Sequence, residues 1–145
     1  MDITAIRMVI ANAAGAVVLP AGALTTSWFL PDAVTEPHFF VAEYEQTFDR
    51  THQRGVDDIQ FTCRALIGHA DEQSAQFLMD QLFSGSGPAS LKTAIEAIRG
   101  PGGALATAGG DSLQVQRTQA NRLYEHAGAQ YIGGELIVRV IGPGG

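Results

Sequence analysis

Glu43 and Glu45 stand two residues apart in an extended, alternating stretch. Carboxylates at that spacing on a strand point the same way. They can form an acid–base pair, or a charged strand surface that meets water or another subunit. A few residues on, Arg50, His52 and Arg54 crowd one polar loop, residues 49–57. Such a loop can dock onto an acidic neighbour, or it is the solvated tip of a hairpin. These five side chains are the candidate functional residues, and each is a candidate for an interface.

Other chemistries lack their parts. His38, His52, His69 and His126 fall in different segments, and none pairs with a second ligand at helical or hairpin spacing, as a metal site requires. Ser84-Gly-Ser-Gly-Pro88 and Gly100-Pro-Gly-Gly103 are rich in glycine but carry no Gly-Lys-Ser/Thr, and Lys92 is the only lysine. A phosphate loop needs that lysine and a helix opening on the anion. The first cluster reads instead as a helix-to-helix turn. No Gly-x-Ser-x-Gly elbow is present. Cys63 is the single cysteine, so no disulfide forms within the chain, and it sits at an inward position of a strand where a thiol packs as a small hydrophobe. The expectation is a protein that is not an enzyme and holds no cofactor or metal.

The elements that position these residues follow from periodicity. Residues 2–16 carry apolar side chains at helical spacing behind Asp2, a suitable N-cap. A short β-like run over 24–30 leads into a turn bracketed by Pro31 and Pro37. Residues 38–48 read as a strand with Phe40, Ala42, Tyr44 and Phe48 on one face and Phe39, Val41, Glu43, Glu45 and Thr47 on the other. The strand over 58–68 alternates most cleanly: Ile59, Phe61, Cys63, Ala65 and Ile67 face inward, Asp58, Gln60, Thr62 and Arg64 outward. Helices over 71–83 and 90–99, capped by Asp71 and Ser90, supply the cover. Residues 100–110 read as a loop. A looser strand pattern follows over 113–126, and a last strand over 131–141 holds Gly133-Gly134, the mark of a bulge or a close backbone approach.

Taken together these elements make an α+β domain: a mostly antiparallel sheet, with an N-terminal helix and a central helix pair packed on one face. One domain covers residues 1–141, and 142–145 form a flexible C-terminal tail. The 145 residues are 46% apolar and only 17% charged, against about 25% in an average soluble domain. Low charge leaves surface that can be buried against partners, or it is the dilution of charge by a Gly- and Ala-rich composition. The net charge is −6, with nine scattered Lys and Arg, which argues against direct binding to a nucleic-acid backbone. The N-terminal apolar stretch is interrupted by Arg7, Asn12 and Gly15 and lacks a basic start, so neither an export leader nor a membrane span is expected there.

The order of Phe39-Phe-Val-Ala-Glu-Tyr-Glu-Gln-Thr-Phe48, the strand over 58–67, the helix over 75–82, Ser84-Gly-Ser-Gly87, the helix over 90–98 and Tyr131-Ile-Gly-Gly-Glu-Leu-Ile-Val-Arg-Val140 resembles the tail terminator, or tail-completion, proteins of long-tailed phages, particularly of actinobacterial hosts. The resemblance spans residues 38–141 and is one of element order and composition. It implies a virion protein of the tail neck. Copies of the chain would form a homo-oligomeric ring, usually a hexamer, on the head-proximal end of the tail tube. One ring face would bind the major tail protein and stop its polymerisation, the other would meet the head-completion or stopper protein, and DNA would pass through the lumen without specific binding. The alternatives from the same reading are another head–tail connector or stopper, expected to be more fully β, and a small ligand-binding or enzymatic α+β domain.

Overall fold

The computed structural model describes residues 1–20, 22–48, 55–69 and 73–144. Its elements in chain order are α1 (Ile3–Ala14), β1 (Thr25–Ser27), β2 (His38–Thr47), β3 (Val56–His69), α2 (Gln73–Leu82), α3 (Leu91–Glu96), α4 (Ala104–Thr107), β4 (Ser112–His126) and β5 (Ala129–Pro143). The strands form one sheet in the order β1-β2-β3-β5-β4. The fold is α+β, and the sheet is mixed: β1 runs parallel to β2, while every other neighbouring pair is antiparallel.

All four helices lie over one face. Ile6 and Ile10 of α1, Met79 and Leu82 of α2, Leu91 and Ile95 of α3 and Leu105 of α4 share a single apolar core with Phe39 and Val41 of β2, Ile59, Phe61, Cys63 and Ala65 of β3, and Leu136, Val138 and Val140 of β5. The helix starts are those the caps dictate. The Ala5 N–H donates to Asp2 Oδ1 at 3.1 Å, and the Thr93 N–H donates to Ser90 Oγ at 3.2 Å. Asp71 lies outside the described residues. Gly133 and Gly134 are a close approach: a Cβ on Gly133 would strike the Ala65 carbonyl, and one on Gly134 would strike the Phe83 ring.

Three differences from the sequence reading have physical causes. First, β2 contains a bulge between Val41 and Glu43. The extra residue, Ala42, inverts the alternation beyond it. Phe39, Val41 and Tyr44 therefore face the helices, opposite Ala65, Cys63 and Phe61, whereas Glu43 and Glu45 share the other face with Phe40. The expected grouping of Phe40 with Tyr44, and of Val41 with Glu43, is corrected by that one residue. Secondly, residues 104–107, read as loop, make a helical turn whose Leu105 is 1% exposed, because that side chain has a place in the core. Thirdly, β5 continues through Gly142 and Pro143, pairing with Asp57 and Val56, and the Gly144 N–H donates to the Gly55 carbonyl at 2.6 Å. Residues 142–144 thus belong to the sheet margin and not to a flexible tail.

β1 is held by His38. Thr25 Oγ1 lies 2.6 Å from His38 Nδ1 and Ser27 Oγ 3.0 Å from Nε2, while the same two hydroxyls reach the carbonyls of Thr35 and Phe29 at 2.7 and 2.9 Å. A neutral imidazole offers one donor and one acceptor, so one hydroxyl gives its proton to the ring and the other to a carbonyl. Burial holds the His38 pKa below the ordinary 6.5, and His126 adds to the depression. A group more acidic in the folded chain than in the unfolded one contributes stability above its unfolded pKa, lost as pH falls through the folded value. Urea unfolding should therefore show stability declining below about pH 6.5, a dependence that His38→Phe should reduce. Hydrogen exchange of that variant should show faster exchange at Thr25, whose N–H bonds the Pro37 carbonyl, with β3 and β5 unchanged.

Candidate functional site

The face of the sheet away from the helices is where charge collects. The registers of the three antiparallel pairs align its outward residues in rows that cross β2, β3, β5 and β4. One row is Phe40, Arg64, Glu135, Gln119. The next is Glu43, Thr62, Ile137, Arg117, and the third is Glu45, Gln60, Arg139, Gln114.

The first row is bonded across three strands. Arg64 Nη2 donates to Glu135 Oε2 at 2.6 Å and Arg64 Nε to the same oxygen at 3.2 Å. Gln119 Nε2 donates to Glu135 Oε1 at 3.2 Å. The Arg64 guanidinium also lies over the rings of Tyr124, at 5.0 Å, and Phe40, at 5.9 Å. Those two rings join Leu66 and Tyr131 in a second, smaller apolar cluster on this face. Glu135 is 5% exposed, and a carboxylate so buried needs its partners in place. The same device recurs at the other end: Arg139 grips Asp58, 3% exposed, through Nη2 at 2.6 Å and Nε at 3.0 Å. Hydrogen bonding to Asp58 raises the Arg139 pKa further, its burial acts in the opposite sense, and the charge of Asp58 adds to the rise.

The middle row has no such internal closure. Between Glu43 at one end and Arg117 at the other lie only Thr62 and Ile137, and the row runs along a trough of about 480 Å³ also lined by Glu45, Gln60 and Gln119. Glu43 is 75% exposed at its side chain, with Arg64 Nη2 4.0 Å away. Arg117 is exposed and its Nε donates to Gln119 Oε1 at 3.2 Å. The two glutamates do share a face, as their spacing requires. They stand at the rim of an open trough, a setting for contact with solvent or another surface. Arg50, His52 and Arg54 lie outside the described residues.

A second surface is apolar. Phe77, 63% exposed, stands on α2 beside a groove of about 430 Å³ lined by Pro20, Pro37, Ile67, Ala75 and Leu78. Pro20 and Gln81 also line the adjoining depression of about 350 Å³, with Val18, Leu19 and Pro88. Gln81 Oε1 is buried there and accepts no hydrogen bond among the described residues. Phe29 and Leu30, 48% and 62% exposed, project from the segment after β1.

Sequence spacing kept His38 and His126 apart, but both rings pack against Phe40, with centroids at 6.0 and 6.4 Å. No group of three or more His, Cys, Asp or Glu able to hold a metal is found among the described residues, and no helix among them is long and apolar enough to cross a membrane. Cys63 is fully buried, and burial pushes its thiol pKa up. The sequence reading missed the Arg64–Glu135–Gln119 and Arg139–Asp58 bonds. Glu135 and Arg139, the two charged residues of an otherwise mostly apolar central strand, are the signals that could have found them.

The chain matches no known family model and no curated protein.

If Glu135 is the anchor of this face, its removal strands Arg64. Glu135→Leu or Arg64→Met alone should each lower stability by up to about 3 kcal/mol, less than a wholly buried pair because Arg64 keeps some water. The double variant should recover part of that loss. Urea midpoints of the four proteins check the cycle.

Proposed function

We propose that this chain is a virion structural protein that assembles with copies of itself into a ring at the head-proximal end of a long phage tail, ends growth of the tail tube and joins the tail to head-completion proteins. The observation that carries the reading is the sheet's pair of dissimilar open margins. Among the described residues β4 has no strand neighbour on its outer side, and β1 pairs only with His38–Phe40 of β2, so β2 beyond Phe40 has no outer strand neighbour either. A subunit with two different lateral surfaces associates head to tail, and head-to-tail association closes into a ring when the successive rotations sum to a full turn in one plane, and otherwise winds into a filament.

Further features support the same role. Helices over one face leave the opposite face largely polar apart from the Phe40 cluster, between margins that carry no further strand among the described residues, a shape suited to side-by-side packing. The apolar groove at Phe77 lies on the helix side, whereas the exposed Leu30 lines a depression with Ala42, Glu43 and Arg64 beside the charged face, and the two offer separate surfaces for a tube protein and for a head-completion protein. The acidic balance of the chain, −6, suits a lumen through which DNA passes without sticking. Helices α2 and α3, inserted between strand pairs, favour a terminator over a mainly β connector. The element order that resembles tail terminators agrees with each of these points.

The test is assembly. Purified protein, alone or mixed with tail tubes built from a major tail protein of a long-tailed phage, should give closed rings by negative-stain microscopy, and the rings should cap tube ends and halt elongation. A monomer at every concentration, with no effect on tubes, would contradict the proposal.

A further inference from the structure

We infer that the contact between adjacent copies is a lateral one in which Arg117, on the β4 margin of one copy, meets Glu43, on the β2 margin of the next. This rests on the self-assembly reading above and specifies its interface.

The two residues end the same row of the sheet: Glu43 pairs with Thr62, Thr62 with Ile137, and Ile137 with Arg117. β2 and β4 are antiparallel to each other, because three antiparallel steps separate them. A copy placed beside the first in the same orientation therefore sets its β2 antiparallel to β4, and the row of one copy continues into the row of the other. Opposite charges then face each other on the same side of both sheets. The next row places Gln114 beside Glu45 in the same way.

Charge also excludes the symmetric alternatives. On this face β2 carries carboxylates only, at 43 and 45, and β4 carries guanidinium groups only, at 117 and 122. Pairing β4 with β4 or β2 with β2 brings like charges together, which is unfavourable across paired strands. Only the unlike margins are complementary, and complementary charge fixes partner and register.

The contact is made by side chains and not by backbone pairing at this level. Glu96 Oε2 accepts the Val115 N–H at 3.0 Å, and the β4 register shifts between Val115 and Arg117. On the other margin Arg7 Nη2 donates to the Ala42 carbonyl at 3.1 Å, beside the bulge that precedes Glu43. Bulges and capped backbone groups are the means by which sheet edges resist strand addition.

Mass photometry at matched concentrations tests this with the wild type, Glu43→Arg, Arg117→Glu, the two combined in one chain, and an equimolar mixture of the two single variants. Glu43→Gln, which places no new charge beside Arg64, guards against a folding defect, and thermal melting confirms that each variant folds. Each single reversal should weaken assembly by about tenfold or more, equal to roughly 1.4 kcal/mol. Glu43→Gln should weaken it less, and both the combined variant and the mixture should restore it. Wild-type oligomers left unchanged by either reversal, or reversals that the combination does not rescue, overturn this contact while leaving self-assembly intact. A wild type that is monomeric throughout overturns the self-assembly reading, and the contact with it.

Discussion

The rest of the structure depends on burying one face of β3 and β5 under the helices. Both are central strands, and their inward side chains, Ile59, Phe61, Cys63 and Ala65 on one and Leu136, Val138 and Val140 on the other, are almost wholly withdrawn from water. Because side chains alternate strictly along a strand, a slip of one residue would expose this whole set. Register is therefore pinned by the core. Once it is pinned, the residues on the opposite face have no freedom in where they fall. The rows that set Arg64 opposite Glu135, and Glu43 in line with Arg117, are consequences of apolar packing on the far side of the sheet.

The bulges then tune what register alone would dictate. Without the extra residue at Ala42, Glu43 and Glu45 would point at the helices and Tyr44 would point away. With it, the carboxylates stand on the polar face, and Tyr44 packs beside Phe61 at 5.8 Å with the Arg7 guanidinium over its ring at 5.3 Å. In β4 the register shifts at 115–117 and again at 119–122, the second with Ala120 at φ 52°. A positive φ at alanine is strained, and here it lies where Tyr124 Oη donates to the Ala120 carbonyl at 2.5 Å. That bond belongs to the cluster of Phe40, Leu66, Tyr124 and Tyr131, which gives the outer face an apolar patch of its own.

The parts legible in the sequence were those governed by local rules. The alternation of β3, the caps at Asp2 and Ser90, and the tight approach at Gly133–Gly134 each follow from neighbours in the chain, and each is found in the structure. The face of Glu43 was not legible, because a bulge adds one residue to the strand and leaves no mark in composition. Nor were the ion pairs. Arg64 and Glu135 are 71 positions apart, and Arg139 and Asp58 are 81 apart, so only the pairing of β3 with β5 could reveal them. The helical turn at 104–107 escaped because four residues rich in Ala carry too little periodicity to register. The candidate site was legible as two carboxylates on one strand; what lies at the far end of their row was not.

Guarded edges set a condition on any assembly built from this domain. An unguarded strand edge pairs with any other edge, through the same backbone groups and without regard to sequence. Here Glu96 occupies the Val115 N–H and is itself held in place by Lys92, whose Nζ is 2.6 Å from Oε1. Burial alone would raise the Glu96 pKa, but the Lys92 hydrogen bond, the Val115 N–H and the charges of Lys92 and Arg99 outweigh it and hold the carboxyl below its ordinary range. The guard therefore keeps its charge to a lower pH than an ordinary glutamate. Association must then be carried by side chains, whose charges distinguish one margin from the other. A sheet that twists between strands also turns each added copy relative to the last, and a turning head-to-tail series closes into a ring only where its rotations return to the first copy; otherwise it winds into a helical filament.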